Sequence, residues 1–136
     1  MSPLAVREPI DGASFPLQPG TYVVWEDHDD GRPLYVGVAA TQTIAQRWLR
    51  QHLYPRAGGS ALRRTLGVWL GLVPDKLRRP ARYYPSDVEA AITSFLERCL
   101  IEFHPTDEAG AARQLEVELI GELNPVLMCR GRGSKE

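Results

Sequence analysis

The chain has 136 residues, of which 43% are hydrophobic and 24% charged, and carries a net charge of −1. That size fits one domain with a core that needs no staples, and the composition is that of an ordinary globular protein. There is no run of about 18 apolar residues for a membrane span and no basic-then-apolar leader. Cys99 and Cys129 are too few for a disulfide framework or a zinc site, so packing or surface roles in a cytoplasmic setting are expected.

Charge is unevenly spread. Residues 1–39 have a net charge of −4 and residues 83–136 of −5, whereas residues 40–82 reach +8, with eight Arg among nine cations. The planar guanidinium suits phosphate, so the middle third reads as a side facing a polyanion. A solvated helical face is the plainer alternative.

Residues 1–19 hold four prolines and no periodicity, and read as an arm. Thr21 to Trp25 and Leu34 to Val38 are short β-forming runs, and the Asp29-Asp30-Gly31 turn between them predicts a hairpin. Each run sets a Tyr beside a Gly, as Gly20-Thr21-Tyr22 and Tyr35-Val36-Gly37. Thr41 or Thr43 caps a helix to about Leu53 whose apolar face holds Ile44, Ala45, Trp48, Leu49 and Leu53. His52 falls within that face, Arg47 at its border and Arg50 toward solvent.

Ser60 caps a second helix that buries Ala61, Leu62, Leu66, Trp69 and Leu70 and leaves Arg63 and Arg64 outside. Pro74 to Pro85 is irregular and mixes Arg78 and Arg79 with Tyr83 and Tyr84; such surfaces contact phosphates and stack bases, although a linker reads equally well. Ser86 to Glu89 has the form of a capping box and opens a third helix through about Arg98. Leu100 to His104 is a third strand, and Thr106 caps a last helix from Asp107 to about Leu123, stopped by Asn124-Pro125. Its apolar stripe is Ala112, Leu115, Leu119, Ile120 and Leu123, and Glu116 projects within it. A carboxylate there needs a cation, donors or a metal to offset burial, or it sits at the stripe edge and reaches water.

Gly20-Thr21-Tyr22 followed by Tyr35-Val36-Gly37 resembles the paired motif of the GIY-YIG nucleases, and Glu116 to Pro125 is similar to the late metal-binding helix of that family. Ser60 to Gly67 is similar to a segment of small bacterial stand-alone members, so the resemblance spans most of residues 20–128, leaving residues 129–136 as a polar tail. It implies an α/β domain, a three-stranded, mainly antiparallel sheet flanked by helices. It also implies a metal-dependent DNA endonuclease, in which Glu116 holds one Mg²⁺ or Mn²⁺. Tyr35 would serve as or position the general base, and Tyr22 would orient water or phosphate. Arg47 would stabilise phosphate and His52 assist one turn later, with a packed core histidine as the alternative. Gly37, Arg50, Arg63, Arg64, Arg78 and Arg79 are the expected substrate-facing positions.

Two features depart from the family pattern. The spacing from Arg47 to His52 is five where four is usual, and Met128 stands where an Asn is usual. They point to the alternative of a degenerate domain that binds DNA, RNA or a protein partner without cutting.

Overall fold

Every residue of Gly20–Trp25 is buried, which marks that strand as the centre of the sheet, covered on both faces. The computed structural model describes residues 6–27, 31–74 and 82–128. Its strands are β1 (Arg7–Pro9), β2 (Gly20–Trp25), β3 (Pro33–Ala39) and β4 (Leu100–Pro105). They form one antiparallel sheet in the order β1-β4-β2-β3. The expected hairpin is β2–β3, in register with Tyr22 opposite Gly37 and Val24 opposite Tyr35, and with a bulge after Val24.

The sheet has four strands where three were expected, because Arg7–Pro9 of the expected arm pairs with β4. Three residues are too few to show an alternating pattern. Side chains lock the addition: Arg7 stacks 3.4 Å over the Trp25 ring and lies 3.8 Å from the Glu102 carboxylate.

Among the described residues four α-helices flank the sheet: α1 (Ile44–Arg47), α2 (Ala61–Trp69), α3 (Ser86–Arg98) and α4 (Ala109–Leu123). Tyr22, Val24 and Ile101 share the larger core with Ile44 and Trp48, with Leu62 and Leu66 of α2, and with Ile92 and Leu96 of α3. On the opposite face Val23, Trp25 and Val36 meet Leu119, Ile120 and Leu123 of α4. Side chains alternate across a strand, so neighbouring residues of β2 serve different cores.

Several local expectations shift for identifiable reasons. Thr43 caps α1 in a reciprocal capping box with Gln46, but the winding from Trp48 to His52 is a π-turn closed by Leu53 N–H donating to Trp48 O at 2.8 Å. Ala61 is exposed. Arg63, expected outside, is fully buried, because Glu89 of α3 meets it across the core. That contact also takes Glu89 out of the expected capping box, and Pro85 occupies the cap position without a side-chain bond. Thr106 Oγ1 donates to Glu108 O, so α4 starts at Ala109, and Asp107 and Glu108 precede it. At its far end Asn124 takes the left-handed conformation, φ 51°, that closes the helix. Among the described residues no helix is long and apolar enough to cross a membrane.

Candidate active site

The hairpin register is what assembles the site. Tyr22 and Gly37 face each other across β2 and β3, and a Cβ at Gly37 would lie 2.5 Å from Tyr22 Oη. Only the missing side chain lets the phenol lie over the neighbouring strand. Tyr35, paired with Val24, projects from the same face of β3.

Above them stands the α1 segment. Trp48 meets the rings of Tyr22 and His52 edge-on, with centroids 5.4 and 4.7 Å apart, and Phe15 stacks on its other side at 5.8 Å. His52 is fully buried, with Nε2 2.6 Å from Tyr22 Oη and Nδ1 2.7 Å from Ser60 Oγ. The Tyr35 ring is 6.1 Å from the same imidazole. A π-turn takes one residue more per turn than an α-helix, so it absorbs the extra residue between Arg47 and His52 and turns both toward Tyr22. The irregular spacing is therefore matched by an irregular helix.

Arg47 carries a buried Nε with no hydrogen-bond partner. Its positive charge acts on Tyr22, Tyr35, His52 and Glu116 alike. An unpartnered buried guanidinium nitrogen is costly, and an incoming anion would satisfy it.

Glu116 enters from the other side of the sheet on α4. The helix is held by Thr21 Oγ1 donating to Ala112 O at 2.7 Å and by Leu119, Ile120 and Leu123 packed on β2 and β3. One turn from both anchors, Glu116 is half-buried, and its charge is felt by Tyr22 and Tyr35. Among the described residues no donor or cation lies within bonding distance of its carboxylate. Glu118 is exposed on the far side and accepts from Gln114 Nε2 at 3.0 Å.

Burial dominates the electrostatics. It raises the Tyr22 phenol, helped by Tyr35 and Glu116 and opposed by Arg47. Burial also raises Tyr35, where Arg47 and Arg64 pull the other way. His52 is driven down to about 3, first by burial and then by Arg47 and Arg63, so its imidazole is neutral. Glu116 lies above the ordinary carboxylate range through burial, with Arg113 and Arg47 opposing.

The expected site residues divide clearly. Tyr22, Tyr35, Gly37, Arg47, His52 and Glu116 converge. Arg50 is exposed next to them, and Arg64 reaches the carbonyls of Ala57 and Gly58 while acting on Tyr35. Arg63 is no substrate contact: its guanidinium donates to Glu89 Oε1 from Nε (3.2 Å) and Nη2 (2.9 Å), to Glu89 O, to His52 O and to Thr93 Oγ1. Arg78 and Arg79 lie outside the described residues, as do His28, Asp29 and Asp30.

Tyr84, expected among the stacking aromatics, is buried against Gly67 with its hydroxyl donating to Arg64 O, whereas Tyr83 is exposed. His104 pairs with Glu102 on the strand face away from the phenols. Met128, at the position of the usual Asn, accepts from Val36 N–H at 3.3 Å and packs under β3.

Ser60 and Trp48 join the site although sequence reasoning assigned them only a cap and a core position. Ser60 could have been noticed through its place one helix start after His52, but nothing local says that its hydroxyl meets the imidazole.

A family model described as GIY-YIG catalytic domain matches residues 5–134. Comparisons with curated proteins and with solved structures gave no match.

Proposed function

The chain belongs to the GIY-YIG catalytic-domain family, a nuclease-type fold, and from that premise we propose that it is a metal-dependent endonuclease that hydrolyses DNA phosphodiester bonds. The observation that carries this reading is a pair of opposite charges left open beside two phenols: Arg47, whose buried Nε is orphaned although its guanidinium hydrogen-bonds Tyr22, and the half-buried Glu116. A structural ion pair would have been closed within the protein. These two groups instead fit a ligand that brings both an anion and a cation.

The donor set suits a hard ion. Among the described residues no cluster of three or more His, Cys, Asp and Glu could hold a metal alone, and Mg²⁺ accepts a site of one carboxylate, waters and phosphate oxygens. Bound at Glu116, Mg²⁺ or Mn²⁺ would neutralise charge on the phosphate and the departing oxygen.

The remaining work belongs to the chain. Arg47 binds a non-bridging phosphate oxygen and gains its missing acceptor. Burial holds both phenols protonated at neutral pH, so they act first as orienting groups. Tyr35 positions the attacking water, and it accepts a proton only where Arg47 and Arg64 offset its burial. Tyr22, held by His52, fixes the opposite side of the site. Arg50 and Arg64 supply positive charge at its rim.

To test this, supercoiled plasmid, branched DNA and single strands are incubated with Mg²⁺ or Mn²⁺ alongside Glu116→Ala and Tyr35→Phe. Cleavage by the wild type that both substitutions abolish is expected. Binding without cleavage of any of these substrates overturns the reading in favour of a degenerate nucleic-acid-binding domain, toward which Met128 points.

A further inference from the structure

His52 touches two hydroxyls, and the three groups hold one proton too many. A neutral imidazole offers one donor and one acceptor, while Tyr22 Oη at 2.6 Å from Nε2 and Ser60 Oγ at 2.7 Å from Nδ1 each carry a proton. Only one of them can give that proton to the ring. The other must accept from it and turn its own proton elsewhere.

The surroundings decide which. Ser60 is 2% exposed, and its oxygen already accepts the Arg63 N–H at 3.1 Å as the cap of α2. Among the described residues His52 Nδ1 is its one acceptor. Turned away from the ring, the serine proton would be a buried, unsatisfied donor, at a cost of about 1–3 kcal/mol. Tyr22 is itself fully buried, but its hydroxyl lies among Arg47, Tyr35 and Glu116, so on that side a phenol and a carboxylate offer oxygens to a proton where Ser60 has none.

We infer that Ser60 sets the tautomer of His52: the serine donates to Nδ1, His52 donates from Nε2 to Tyr22 Oη, and the Tyr22 proton is turned toward the side of Tyr35 and Glu116. His52 is then not the acceptor of the Tyr22 proton. It is a fixed donor that supports negative charge on the phenol oxygen and stays neutral throughout. Arg63 keeps the relay in place at both ends, because its backbone N–H holds Ser60 and its Nη1 holds His52 O at 3.0 Å. Ser60 is thus a positioning residue, and the inference rests on the nuclease reading only for its catalytic meaning.

The test is direct observation of the ring protons. Metal-free, ¹⁵N-histidine-labelled full chain is studied near neutral pH by long-range ¹H–¹⁵N correlation, with His52→Gln identifying the signals. Protonated Nε2 with bare Nδ1 is expected, and a dominant Nδ1–H form overturns the inference. Ser60→Thr keeps the hydroxyl and should keep the pattern. Ser60→Gly removes it at little capping cost and should bring in the Nδ1–H form, and an unchanged tautomer there refutes the role of Ser60. In cleavage assays Ser60→Gly should lower kcat about tenfold with little change in KM, and Ser60→Thr should restore it. If the NMR pattern holds while no DNA is cut, the inference stands and the nuclease reading fails.

Discussion

Two of the Arg–Glu arrangements within this small domain are opposites. Arg63 and Glu89 are buried and closed: the guanidinium meets its carboxylate at 2.9 Å, and Glu89 Oε2 also accepts from Ala57 N–H and Tyr84 N–H. Arg47 and Glu116 are half-buried and open, with the Arg47 Nε orphaned. The closed pair ties α2, α3 and the Ala57–Gly59 turn together, and nothing is left over for a ligand. The open pair leaves bonding capacity beside the two phenols. Satisfied charge marks architecture here, and unsatisfied charge marks the place where chemistry is proposed.

The largest effect should come from breaking the closed pair. Arg63→Ala leaves Glu89 buried and unpaired, and should cost about 3–5 kcal/mol in urea unfolding. A loss below about 1 kcal/mol would mean that the pair is not the brace described. Next, Glu116→Gln should leave the urea midpoint nearly unchanged while cleavage falls by at least about 10²-fold. Arg47→Met should do likewise, and a severe loss of stability in either variant would erase the contrast between the pairs.

His52 sharpens the comparison through pH. Its folded value of about 3 lies below the ordinary 6.5, so below 6.5 the unfolded chain binds a proton that the folded chain refuses. This part of the stability is complete above pH 6.5 and declines as pH falls toward 3, by up to about 1.4 kcal/mol per unit. His52→Gln should flatten that decline between pH 6 and 4 in denaturation measured across pH. The smallest effect belongs to the rim: Arg50→Ala should reduce the log K versus log salt slope of DNA binding by about 1 without altering the fold.

The open pair was half legible in the sequence, and the closed pair was not. Glu116 stood out because a carboxylate interrupted an apolar stripe at helical spacing, and Tyr22 and Tyr35 because each adjoined a Gly in a β-forming run. Arg63 lies beside Leu62 and one turn from Leu66 and Gly67, and all four are buried, yet a charge there reads as solvent-facing until its partner is known. That partner is 26 residues away and looked like part of a capping box. The hairpin, the central helices and β4 were readable from local pattern. β1 was too short to show one, and its pairing with β4 is a contact across more than 90 residues.

The π-turn at Trp48–His52 holds one residue more than a regular winding needs. Removing one residue between positions 48 and 51 would let the backbone wind as an unbroken α-helix, the more favourable geometry, and at the resulting spacing of four the imidazole would stay on the Arg47 face. Shortening that segment should therefore give a sturdier helix that keeps its grip on the phenol. A search for kin by a fixed gap between arginine and histidine would pass this chain by, although the two side chains converge on the same ring.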